Sequence, residues 1–217
     1  MFVLNPYVSF SQEDINQQDD SGKKFGAWEG RYSNGSLRYK GRFHDNQPVG
    51  IFQYFYEDGS KRATNEFSKN GFKAINKSYS KNGILIAEGI YFDQKKDSIW
   101  RIYSDADGVL LSEESYKNDL LEGLTIVYYP GTAQKAEETF YSVGLKNGLS
   151  TKFFEDGKMM SVSNFKDDQP DGLFTFYYES GLVQMKGSFK NGLKSGKWLS
   201  YDEQGNVLSE EDYKEQN

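Results

Sequence analysis

From residue 26 onward, apolar and polar side chains alternate in short runs that are broken by turn residues and recur at a fixed interval. Unit one shows the pattern. If Asn34-Gly35 closes a two-residue hairpin, then Trp28, Gly30, Tyr32, Leu37, Tyr39, Gly41 and Phe43 share one face. Ala27, Glu29, Arg31, Ser33, Ser36, Arg38, Lys40 and Arg42 share the other, because strand side chains alternate sides. Unit seven repeats the split with Phe174, Phe176, Tyr178, Val183, Met185, Gly187 and Phe189. Unit two agrees with Phe52, Tyr54, Tyr56, Ala63 and Phe67. Unit starts fall at 26, 50, 74, 98, 123, 148, 172 and 196, so eight copies of a module of about 24 residues fill the chain.

Two markers recur inside each module. A turn dipeptide such as Asn34-Gly35, Asp58-Gly59, Asn82-Gly83 or Asp156-Gly157 supplies positive φ. An aromatic follows near the end: Phe43, Phe67, Tyr91, Tyr116, Phe140, Phe165, Phe189 and Tyr213. The pattern predicts an all-β, elongated single-sheet array of about eight β-hairpin repeats, roughly sixteen strands, twisted and curled. With no helix to cover the apolar face, rings must pack against rings of adjacent units. Gly41 and Gly187 are expected opposite Trp28 and Phe174, where they leave room for a ring over the backbone.

A second aromatic column occupies the sixth residue of seven units: Phe55, Tyr79, Tyr103, Tyr128, Phe153, Tyr177 and Tyr201. Its expected partners across the hairpin are Arg62, Ile86, Leu111, Met160, Gln184 and Leu208. Two readings stay open: a packing spine inside the curl, or a contiguous ladder that captures a partner. Unit three is polar where others carry rings (Asn76, Ser78, Ser80), and units four and five have altered turn spacing. The stretch 74–147 is therefore expected to be kinked or less ordered.

The pattern G-x-W-x-x-Y-Y-x-x-G is carried by Gly26-Ala27-Trp28 with Tyr32 and Gly35, and by Gly50-Ile51-Phe52 with Tyr56 and Gly59. Gly172-Leu173-Phe174 with Tyr177, Tyr178 and Gly181 carries it again. In these residues the chain resembles the MORN repeat variant family over about 190 residues. The resemblance implies a β-hairpin array. For function it implies protein scaffolding, lipid contact or the part of a bacterial antitoxin component.

Charge narrows the classes. The net charge is −6, which argues against a general nucleic-acid or anionic-lipid binder. Residues 23–101 carry 15 basic and 8 acidic side chains, and residues 102–217 carry 11 basic and 20 acidic. Either the surface drifts in charge, or the two halves meet different partners. No Cys and a single His exclude disulfides, thiolate metal sites and two-histidine metal sites. His44 beside Asp45 reads as a loop residue, since no nucleophile motif accompanies it. Adjacent carboxylates (Glu113-Glu114, Glu137-Glu138, Asp167-Asp168, Glu210-Glu211) point to opposite faces on strands and do not converge as a catalytic pair. No catalytic residue, metal site or cofactor is expected. The expected function is a non-catalytic surface for protein–protein interaction or scaffolding. A carbohydrate or cell-envelope ligand held by exposed aromatics is the first alternative, and an antitoxin-like partner of a toxin the second. The sequence leaves the oligomeric state open.

Residues 1–25 read as an N-terminal tail, and 26–217 as the repeat domain. Within the tail, Glu13–Asp20 reads as an acidic linker. Residues 1–11 read either as the end of a signal peptide that starts upstream, with Ser9-Phe10-Ser11 as a small-x-small cleavage site, or as a frayed terminus or short strand. The first reading puts the protein in the periplasm or outside the cell, the second in the cytoplasm. The acidic end, Glu210 to Asn217, reads as a final strand whose charge discourages a further chain from stacking. Mass spectrometry of the native protein is expected to find the mature N-terminus just after Ser11; an N-terminus at Met1 would defeat the signal-peptide reading.

Overall fold

The computed structural model describes residues 14–68 and 71–214, so the candidate cleavage site at Ser9–Ser11 lies outside the described residues. The described residues contain strands and no helix. The strands are β1 (Gln17–Gln18), β2 (Lys24–Arg31), β3 (Leu37–His44), β4 (Gln47–Phe55), β5 (Lys61–Phe67) and β6 (Lys73–Tyr79). They continue as β7 (Leu85–Phe92), β8 (Lys95–Tyr103), β9 (Leu110–Lys117), β10 (Leu120–Tyr128), β11 (Lys135–Ser142) and β12 (Leu145–Phe153). The last six are β13 (Met159–Lys166), β14 (Gln169–Pro170), β15 (Gly172–Tyr177), β16 (Val183–Lys190), β17 (Leu193–Tyr201) and β18 (Val207–Tyr213). Each pairs antiparallel with its neighbours in sequence, giving one long open meander. The count exceeds sixteen for two reasons. β1 adds to the edge of β2, and β14 and β15 are two pieces of one strand beside β13.

The expected use of the turns is reversed. The tight two-residue turns lie between units, at Asp45-Asn46, Asp93-Gln94, Asn118-Asp119 and Asp167-Asp168. Both residues take positive φ there, 49° and 66° at the first. That is the type I′ conformation, whose twist matches the flanking strands. At Asn34-Gly35 only the glycine is left-handed (86°). Tyr32 N–H donates to the Ser36 carbonyl and Gly35 N–H to the Tyr32 carbonyl, both at 2.9 Å, closing a three-residue loop. The longer loop forces a one-residue slip next to it. Phe55 pairs with Lys61, Tyr79 with Leu85, Tyr103 with Leu110, Phe153 with Met159, Tyr177 with Val183 and Tyr201 with Val207. The expected partners Arg62, Ile86, Leu111, Met160, Gln184 and Leu208 are each displaced by one, and Leu37 pairs with Arg31 rather than Tyr32. Deeper in the hairpin the expected register holds, with Trp28 opposite Gly41 and Phe174 opposite Gly187.

The unit-start glycines are not loop residues. They lie inside strands, at bulges between units. Against β3, residues 50–52 stand opposite Gly41 alone, because Val49 pairs with Arg42 and Gln53 with Lys40. A bulge of this kind bends the strand and sharpens its twist, so its recurrence at most unit boundaries curls the sheet. Gly50 and Gly148 adopt φ of 66° and 105° there. Unit four has Ser98 instead, which holds φ of 62°. Unit three begins with Ala74, and there the β5–β6 ladder runs without a slip.

The units from 74 to 147, which the sequence marks for kinking or loss of order, form continuous strands β6 to β12. One assignment within them is corrected. Phe140 pairs with Leu124 and is 45% exposed, while Tyr141 takes the place opposite Gly123. The longer loop of unit five, closed from Tyr129 to Gln134, shifts the returning strand by one residue. Ser98→Gly should raise stability by about 1 kcal/mol in denaturant unfolding, and Gly148→Ser should lower it by a similar amount, because a side chain in the left-handed region costs roughly 1–2 kcal/mol.

Candidate binding surface

The third residue of each unit forms a spine along one face, here called the inner face. Phe52, Trp100, Phe174 and Trp198 are buried in it, Trp100 to 2% exposure, although only a single sheet is present. They achieve this by lying over the preceding unit. A Cβ on Gly41 would stand 2.5 Å from the Phe52 ring, and Cβ atoms on Gly89 and Gly187 would strike Trp100 and Trp198. The ring above Gly41 thus comes from the next unit, not from Trp28 across the same hairpin. The late-unit aromatics fill the gaps edge-on: Phe43 to Phe52 at 5.2 Å, Phe52 to Phe67 at 5.3 Å, Tyr91 to Trp100 at 4.8 Å and Phe189 to Trp198 at 5.0 Å between centroids. Indole N–H groups are satisfied by backbone carbonyls, Trp100 by Ile90 and Trp198 by Ser188.

Where the spine is polar, the residue beneath is polar too. Asn76 donates to Asn65 at 2.6 Å, and Ser150 and Thr139 share a bond of 2.7 Å. Both edges of the sheet are pinned. Tyr32, Tyr56, Tyr129 and Tyr178 donate their phenol to the carbonyl of Phe55, Tyr79, Phe153 and Tyr201, each one unit ahead. At the other edge, the Asn46 side chain accepts from Lys24 N–H while Asn46 N–H donates to the Lys24 carbonyl. Asp119 with Lys96 and Asp168 with Lys146 repeat that exchange.

Unit three is where the inner face opens. Asn76 and Ser78 stand where units two and seven place rings, Ala63 and Ala74 beside them are small, and a groove of about 820 Å³ results. Phe52, Tyr54, Tyr56, Phe67, Tyr79 and Tyr91 supply its aromatic walls, and Arg62 is its single charged lining residue. The Arg62 guanidinium lies 5.9 Å from the Tyr54 ring centroid. Burial pushes the Tyr54 phenol above its ordinary pKa. This groove escapes a reading of faces alone. Its signal is the coincidence of small residues in unit three with the rings of units one and two and its own Tyr79 and Tyr91.

The sixth-residue column, Phe55, Tyr79, Tyr103, Tyr128, Phe153, Tyr177 and Tyr201, is half-buried along its whole length. Tyr79 reaches the groove. Tyr103 donates to Glu88 at 2.7 Å and Tyr128 to Glu113 at 3.1 Å, and Glu113 also holds Arg101 at 2.8 Å. Lys61 and Lys186 sit over the rings of Tyr79 and Tyr201. Burial, then donation to Glu88, pushes the Tyr103 phenol up to about 12.

The carboxylate neighbours do not converge. Glu113 serves Arg101 and Tyr128, whereas Glu114 accepts from Ser112 and Tyr116. Glu138 holds Lys135, while Glu137 accepts from Thr139 and faces Lys146. Burial raises the Glu137 carboxyl, but the Thr139 hydroxyl and the two lysines Lys146 and Lys152 outweigh it and leave the group below its usual range. Among the described residues no cluster of three or more His, Asp or Glu is placed to hold a metal ion. His44 ends β3 beside the Asp45-Asn46 turn and, with Asp14 and Arg42, lines a second concavity of about 780 Å³ that shares Phe43 and Phe67 with the groove.

The family model of the MORN repeat variant matches residues 146–167, 170–191 and 194–215. Residues 146–215 thus carry three consecutive MORN repeat variants. No curated protein matches the chain. Two of the matched windows end at the first residue of a type I′ turn, Asp167 and Asn191. The MORN unit is therefore one hairpin from inter-unit turn to inter-unit turn, with its Gly loop in the middle and its spine residue (Ser150, Phe174 or Trp198) two places past the bulge glycine. The earlier units keep that strand–loop–strand geometry. The Tyr103 shift gives a spectroscopic check on MORN packing. Its raised folded pKa means that its stabilising share is complete below about pH 10 and is lost as pH climbs through about 12. In absorbance titration at 295 nm, Tyr103→Phe should remove one phenol from the late-titrating class; an unchanged late class would show that Tyr103 is not held by Glu88.

Proposed function

We propose that this MORN repeat protein is a non-catalytic scaffold that binds a partner protein, with the inner-face groove of the first three units as the contact surface. The observation that carries the reading is the groove itself, about 820 Å³ of open space whose lining is rich in aromatic rings. Apolar concavities with a few polar groups are the usual form of a binding site. Rings held by glycine contacts and edge bonds lose little freedom when a ligand arrives, which favours affinity. The sixth-residue column is a second contact in this proposal, its Tyr177 to Tyr201 stretch lying far along the sheet from the groove. Among the described residues no helix is long and apolar enough to cross a membrane.

Affinity capture with the intact chain, quantified for each co-purifying protein, tests this. One defined protein should be retained by the wild type and reduced at least tenfold by Tyr54→Ala, with circular dichroism unchanged. Loss with Tyr177→Ala instead transfers the contact to the column. Retention by both variants, or a glycan ligand in place of a protein, overturns the reading.

A further inference from the structure

Resting on the groove as the binding surface, we propose that its ligand is a short, extended, acidic segment of a partner protein with one or two apolar side chains. The groove draws its lining from β3 through β7. Five strands about 4.8 Å apart span ~19 Å, the length of roughly six extended residues at about 3.3 Å each. Its floor is apolar: Phe52, Phe67, Ala63, Ala74 and Ile86 offer no charge and seat an aliphatic or aromatic side chain.

The charge around that floor is positive and prepared for carboxylates. Among the described residues no carboxylate lies within ion-pairing distance of Arg62 or Lys61. Each instead rests on a ring, Arg62 on Tyr54 at 5.9 Å and Lys61 on Tyr79 at 5.5 Å. Lys81 sits 5.8 Å from the Tyr56 centroid and reaches Asp58 only at 3.9 Å. Cations resting on ring faces are held in place, so a carboxylate arriving at Arg62 or Lys61 gains a charge-assisted bond without first breaking a salt bridge. The basic excess of residues 23–101, 15 against 8, steers an acidic ligand to this half of the sheet. A long polyanion is disfavoured, because residues 102–217 carry 20 acidic side chains against 11 basic and repel it. That selects a short acidic peptide over a nucleic acid.

The test is an array of random hexapeptides probed with the full chain, beside oligosaccharide and oligothymidine arms. Bound peptides should be enriched at least threefold in Asp and Glu, contain Leu, Ile or Phe, and be depleted in Lys and Arg. Arg62→Glu, at an exposed position, should erase the acidic enrichment while circular dichroism is unchanged, and Arg62→Lys should retain it. Neutral or basic peptides among the binders, indifference to Arg62→Glu, or preference for the sugar or the oligonucleotide overturns the proposal. If Tyr54→Ala abolishes partner capture while the array returns neutral peptides, the groove stands and the acidic ligand falls.

Discussion

Everything in this molecule follows from one packing constraint: a single β-sheet, without a second layer, must bury its rings on itself. It does so most fully where the ring of one unit lies over a glycine of the unit before, as Phe52 lies over Gly41, Trp100 over Gly89 and Trp198 over Gly187. The contact requires the absence of a Cβ on one strand and a bulge on the next, where three residues stand against one. Glycine supplies the first by its size and the second by its tolerance of positive φ. Each hairpin is too small to be stable by itself, so the contact that buries the ring is also the contact that joins the units.

The edges hold the geometry that the spine demands. Tyrosines 32, 56, 129 and 178 bond to a carbonyl one unit ahead, and the Asn or Asp of the inter-unit turns bonds one unit behind. Each neutral bond contributes on the order of 1 kcal/mol, and their regular placement along both edges makes the curl a cooperative property of the array. Polar rungs such as Asn65 with Asn76 and Thr139 with Ser150 interrupt the ring column without interrupting the sheet, because each buried polar group meets its partner across the ladder.

The groove arises from this same rule applied to an exceptional unit. Unit three replaces rings by Asn76 and Ser78, begins with Ala74 and lacks the bulge. The sheet continues, so the rings on either side cannot close over the gap. A deviation in repeat sequence becomes a cavity with aromatic walls, and the basic side chains of the same half surround it. In repeat proteins, function is expected where the repeat departs from itself, since regular units spend their side chains on one another.

The amino-acid sequence by itself determined the all-β class, the eight-unit repeat, the ring-bearing face and the mid-hairpin pairs Trp28–Gly41 and Phe174–Gly187. Alternation and period are local properties, and a strand's face is set by counting in twos. Only the tertiary structure decided which turn is tight, where the register slips, and which ring covers which glycine. Those depend on where along the chain the bulged residue falls. Asn-Gly is compatible with both a two-residue and a three-residue loop, and Asp45-Asn46 carries no glycine to mark it as the tight one. The sixth-residue column was legible as a column, but its environment was not, because its neighbours come from adjacent units through a slipped ladder. The groove was invisible for the same reason: it is a relation among three units, and a sequence shows each of them only in turn.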